Sequence, residues 1–139
     1  MSTQTTCIKK AIEYMEQHLE DNIHLDDIAD STGYSKFYLN RIFAAHTGMT
    51  IHKYLQSRRL TSAAEKLAYS KKPIVQIAQE AGYDSQQAFS FAFKQAYQYP
   101  PSMYRKLGSF TPKQGKILMR GSAMVFRAAF NIRRKELAA

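Results

Sequence analysis

A single cysteine, Cys7, stands in a chain of 139 residues. That excludes an internal disulfide and any zinc site built on several cysteines. Apolar runs are short. None approaches the roughly 18–20 residues of a membrane span, and the polar N-terminus has no hydrophobic signal segment. Acidic residues are scarce, 11 against 20 Lys+Arg, which leaves a formal net charge of +9. Glycine-rich phosphate loops, HExxH and GxSxG are missing, and His18, His24, His46 and His52 form no recognisable metal set with carboxylates. No catalysis, metal or cofactor is therefore expected. What remains is a cytoplasmic type of protein, with no membrane segment and a charge that favours an anionic partner. The length fits one domain, or two small ones packed together, with no room for a full effector-binding domain besides.

The charge is uneven. Residues 1–106 carry 13 basic and 10 acidic side chains, whereas residues 107–139 carry seven basic side chains and one acidic one, Glu136. A basic tail can serve nucleic acid, acidic membranes or nothing specific, so the case for a partner has to come from how the residues are arranged.

Nearly every segment has helical periodicity. Ile8, Ala11, Ile12, Met15 and Leu19 form an apolar stripe over about 6–20. A short helix is expected at about 25–32, with Asp26 and Asp27 in its first turn and Gly33 just past its end. Ser35 fits the N-cap of a helix over about 36–46, which Thr47-Gly48 closes. A longer helix follows at about 51–69, burying Tyr54, Leu55, Leu60, Ala63, Ala64 and Leu67. Pro73 opens another short one, to about Ala81, and Gly82 ends it. Asp84 or Ser85 caps the next, to about Tyr97, and a last turn or two is expected over 102–106. No run of period-two alternation stands out. The expected core is all-α.

An internal repeat carries the most information. Ile28-Ala29-x3-Gly33-Tyr34-Ser35 returns as Ile77-Ala78-x3-Gly82-Tyr83-Asp84-Ser85, and Leu39 and Phe43 return as Phe89 and Phe93. Each copy is a short helix, a glycine turn and a second amphipathic helix, which is the outline of a helix-turn-helix. Small Ala29 and Ala78 let the second helix cross close to the first, and the glycine supplies a backbone geometry that side chains resist. Leu39, Ile42 and Phe43 point inward in copy one, and Phe89, Ala92 and Phe93 in copy two. Phe37, Asn40, Arg41 and Ala44 are left outside in the first; Gln87, Ser90, Phe91 and Lys94, with Gln86 beside them, in the second. Ordinary helical hairpins in a bundle would share the outline. Two copies with amides or Arg on the exposed N-terminal half instead favour reading of DNA, because Gln or Asn pairs bidentately with adenine and Arg with guanine.

These motifs resemble the AraC/XylS family of bacterial transcription regulators, in particular its compact stand-alone members of the MarA/SoxS/Rob type. The likeness rests on Gly33-Tyr34-Ser35-Lys36-Phe37-Tyr38-Leu39-x-Arg41-x-Phe43 and Tyr54-x3-Arg58-Arg59-Leu60-x2-Ala63. In the second half it rests on Ile77-Ala78-x3-Gly82-Tyr83-x-Ser85-Gln86-Gln87-x-Phe89-x3-Phe93-Lys94 and Pro100-Pro101-x2-Tyr104-Arg105. It spans about 6–106. The resemblance implies about seven helices in two helix-turn-helix subdomains, at 1–50 and 70–106, joined by a linker helix at 51–69, with 107–139 as a basic tail. It implies a monomer that sets two recognition helices, 36–46 and 85–97, into successive major grooves. A linker of ~18 residues is about 27 Å long, compatible with grooves that repeat every ~34 Å. It further implies an activator that recruits RNA polymerase in a stress or antibiotic-resistance regulon, controlled by the amount of protein made.

Arg41 is the leading base or phosphate contact, and Asn40 reads a base or is merely solvated. Phe37 takes a position where the family often has tryptophan, so it is expected either to touch a thymine methyl or sugar or to be partly buried. Gln86 and Gln87 match base- or backbone-contacting positions. Lys36, Ser85, Ser90 and Lys94 complete the surface, the last two as phosphate contacts. Phe91 departs from the family, where arginine is frequent, so copy one is expected to hold most of the specificity. Arg58, Arg59, Lys71 and Lys72 are expected to touch phosphates or stay solvated. In the tail, Gly108, Pro112, Gly115 and Gly121 point to a loose connector, and 123–137 to a basic helix or a disordered extension. Two rivals remain: a non-specific architectural DNA binder, and the detached DNA-binding part of a longer regulator, although the starting methionine favours a complete chain.

Overall fold

The computed structural model describes residues 3–120 and 123–126. Among these described residues, seven helices run in order: α1 (Thr3–Gln17), α2 (Leu25–Thr32), α3 (Lys36–Thr47), α4 (Ile51–Tyr69), α5 (Ile74–Glu80), α6 (Gln86–Tyr97) and α7 (Pro101–Leu107). Two strands follow, β1 (Ile117–Arg120) and β2 (Ala123–Phe126), paired antiparallel with Leu118 opposite Val125.

The helix boundaries follow from local chemistry. The Asp27 carboxylate accepts from the His24 backbone N–H at 2.8 Å and closes the start of α2. Ser35 caps α3 by accepting from Tyr38 N–H at 3.2 Å, and Ser85, rather than Asp84, caps α6 by accepting from Ala88 N–H at 3.0 Å. Gly82 has φ +88°, a backbone conformation that side chains resist, and a Cβ there would crowd the Arg59 guanidinium at 3.1 Å. Helix α1 ends three residues earlier than its apolar stripe suggests. Past Gln17 the chain tightens, His18 N–H donating to the Met15 carbonyl, and the His18 ring meets Asp21 at 2.7 Å.

Two apolar cores form. The first joins α1, α2, α3 and the start of α4 around Ile12, Met15, Ile28, Leu39, Phe43 and Tyr54; the second joins the rest of α4 to α5, α6 and α7 around Leu67, Ile77, Phe89 and Phe93. Every residue expected inside α4 is buried there, and Ala92 is only half-buried. Cys7 is buried in the first core, which pushes its thiol pKa up.

Residues 109–117 correct the expectation of a loose connector. Phe110 is buried in the second core and Ile117 in the first, so the segment ties the two together. Its backbone N–H groups are taken up by hydroxyls on the helices. Thr111 donates to Tyr104 at 3.1 Å, Lys113 to Tyr97 at 3.3 Å, Gln114 to Thr61 at 3.1 Å and Ile117 to Tyr54 at 3.1 Å. Burial raises the pKa of all three tyrosines, that of Tyr54 to about 12, so these partners stay neutral. Lys116 adds an ion pair with Glu13 of α1 at 2.9 Å. The expected basic helix does not begin at Ala123, because 123–126 is the strand β2; the rest of that expectation lies outside the described residues.

Candidate nucleic-acid interface

Helices α3 and α6 are built alike. Counting from their serine caps, Phe37 matches Gln87, Asn40 matches Ser90, Arg41 matches Phe91, and Ala44 matches Lys94. The inner positions of each are sealed in a core, with Leu39 and Phe43, and Phe89 and Phe93, at 0% exposure. The outer positions are what remains for a partner.

On α3, Phe37 is 79% exposed, so it is not partly buried against its own subdomain. The Lys36 ammonium lies 5.7 Å from the centre of the Phe37 ring and pairs with Asp26 at 3.3 Å, an exposed contact of little energy that a stronger anion can displace. Arg41 is exposed, with its guanidinium stacked 5.3 Å from the centre of the Tyr38 ring, which in turn lies against Tyr34. Such a stack reduces the freedom of a long side chain without consuming its hydrogen-bond donors. Tyr38 as a platform for Arg41 escaped the sequence reading; the three-residue spacing between them on a helix was the available signal.

Asn40 is half-buried and neither simply solvated nor fully free. Its Oδ1 accepts from Ile51 N–H at 3.3 Å and so helps to cap α4. An open groove runs beside it, bounded by Leu25 and Asp26 of α2, by Phe37, Asn40 and Arg41 of α3, and by Thr50.

On α6, Gln86, Gln87, Phe91 and Lys94 are exposed and Ser90 is half-buried. Ser85 uses its oxygen as the cap acceptor, which leaves the hydroxyl proton to donate. Phe91 is 70% exposed.

Arg58 and Arg59 need correction. Arg58 reaches inward, donating to both Glu16 carboxylate oxygens at 3.0 and 2.7 Å and to the Gln114 carbonyl at 2.7 Å. Burial works against its charge, yet the Glu16 carboxylate outweighs that and holds the pKa above its ordinary value. Arg59 donates to the Leu19 and Asp21 carbonyls at 2.8 and 2.6 Å, satisfying the α1–α2 connection. Arg58, with its side chain 12% exposed, is thus committed inside the protein, and Arg59 spends its Nε and Nη2 on backbone carbonyls. Helical spacing carried the signal: Arg58 lies four residues past Tyr54, and Arg59 four past Leu55 and four before Ala63, all three buried. Lys72 is also engaged, with Glu80 at 3.1 Å, while Lys71 is exposed.

Among the described residues, no group of three or more His, Cys, Asp or Glu is arranged to hold a metal, and no helix is long and apolar enough to cross a membrane.

Comparison with known proteins gives the same picture. A family model described as a helix-turn-helix domain matches residues 28–107. The chain is 42% identical over 102 residues to the transposon Tn10 TetD protein of Escherichia coli, covering 73% of this chain and 74% of that one. It is 35% identical over 104 residues to the multiple antibiotic resistance protein MarA of Escherichia coli K12, covering 75% and 82%. Among solved structures, an AraC-type transcriptional regulator from Chromobacterium violaceum superposes with a TM-score of 0.70 at 30% identity, over 73% of this chain and 91% of that one. With its repeated capped helices and their outward polar faces, this chain belongs to the AraC/XylS family of helix-turn-helix DNA-binding transcription regulators.

Proposed function

We propose that this protein reads a specific double-stranded DNA site as a monomer, with α3 and α6 in successive major grooves, and activates resistance or stress genes by recruiting RNA polymerase. The observation that carries the reading is the paired register of the two helices. Each is capped by serine, sealed on its inner side and open on its outer side, where Arg41, Gln86, Gln87 and Lys94 offer donors of the kind base edges and phosphates accept. The 19-residue α4, about 28 Å long, is a suitable spacer for grooves ~34 Å apart. Similarity to MarA supports a resistance regulon, and a cytoplasmic, nucleoid-bound location goes with it.

Selection of bound duplexes from a random pool, followed by sequencing, tests this. The expected outcome is one asymmetric motif with two parts about one helical turn apart, and stimulated transcription by purified RNA polymerase from a promoter carrying it. Recovery of unenriched sequence would leave only a non-specific binder.

A further inference from the structure

We infer that Phe91 is a specificity-determining residue that reads the 5-methyl group of thymine in the half-site bound by α6, where the equivalent residue of α3, Arg41, is equipped for guanine or phosphate. The inference rests on the DNA-reading function proposed above.

Three observations lead to it. Ser35 and Ser85 cap their helices in the same way, so Arg41 and Phe91 are each the sixth residue after the cap and take the same place on the outer face. The Phe91 ring is 70% exposed, whereas Phe89 and Phe93 on the same helix are fully buried, so the core does not use it. Its neighbours one turn away include exposed polar residues on both sides, Gln87 on one and Lys94 on the other, with exposed Ala88 too small to cover the ring. An apolar ring is therefore framed by groups suited to base edges and phosphates. Among the features base pairs present in the major groove, hydrogen-bond donors and acceptors offer a phenyl ring nothing to match, and the thymine methyl is the apolar one. Burying one methyl-sized group is worth ~0.8 kcal/mol, about a fourfold preference. A bidentate arginine–guanine pair discriminates more strongly, by roughly 5- to 150-fold. The α6 half-site is thus a weaker reader than the α3 half-site, and its preference is for thymine.

The test uses the full chain and its selected duplex, with each thymine replaced in turn by deoxyuridine, which removes only the methyl. Wild-type protein should lose about fourfold in affinity at one thymine, or two adjacent ones, of the α6 half-site. In Phe91→Ala that loss should vanish, while Phe91→Arg should shift the preferred base there towards guanine. Circular dichroism of the exposed-site variants establishes that they fold. Specific binding that ignores deoxyuridine throughout the α6 half-site overturns the inference and leaves DNA reading intact. So does a deoxyuridine penalty that persists unchanged in Phe91→Ala, or an affinity of that variant for the selected duplex equal to that of the wild type. No specific duplex at all overturns both readings.

Discussion

Replacing Arg58 by Ala separates a structural arginine from a DNA-binding one. The side chains of Arg58 and Glu16 are 12% and 17% exposed, and their bidentate contact is accompanied by a third bond to the Gln114 carbonyl. Truncation leaves a carboxylate and a carbonyl without their donor. Breaking a fully buried pair costs about 3–5 kcal/mol, and the residual exposure here lowers that to ~2–4 kcal/mol. For a chain of this size the melting temperature should fall by on the order of 10 °C. Arg58→Lys should recover only part, since an ammonium cannot reproduce the two-pronged contact. Urea unfolding measures the stability. Binding measured against salt, at a temperature where both proteins are folded, decides the role: the slope of log affinity on log salt should stay unchanged. A phosphate contact would behave in the opposite way, with stability within about 0.5 kcal/mol of wild type and a slope smaller by about one. That pair of results would refute the assignment.

Three further outcomes are expected. Arg41→Ala should weaken the selected site by ~1–3 kcal/mol and relax its sequence preference, with random duplexes much less affected; equal losses on both contradict base reading. Ile117→Ala should cost ~2–4 kcal/mol in urea unfolding, because it empties a position in the first core; a neutral result would show that residues 109–117 do not bind the cores together. Glu80 accepts from Lys66, and also from Lys72 and Gln76, which depresses its carboxyl pKa from 4.5 to about 2 despite opposing burial. Its contribution to stability is present above about pH 4.5 and is lost as the pH falls towards 2. Glu80→Gln should flatten stability over that window, and an identical acid limb in the two proteins would remove Glu80 from the account.

Local rules made most of the helical frame legible. Caps such as Ser35, the glycine turns and the apolar stripe of α4 depend on residues a few positions apart, and helix periodicity exposes them. The repeat even gave the outer faces of α3 and α6. What escaped was long-range. Arg58 finds Glu16 across 42 residues and Tyr54 finds the Ile117 N–H across 63, and no local pattern encodes such a meeting. The glycines and proline of the tail looked like flexibility, but Pro112 and Gly115 are buried where the chain crosses the two cores. Ile117–Arg120 was too short a stretch for alternation to register as a strand.

Hydroxyl-radical footprinting of the selected duplex, with the stoichiometry fixed by titration at concentrations far above Kd, addresses two-groove recognition by one chain most directly. One protein per duplex should protect two patches on a single face of the helix, about 10 base pairs apart, and substitutions in α3 and α6 should each erase one patch. A single protected patch, or two patches that appear only when two proteins are bound, would contradict it.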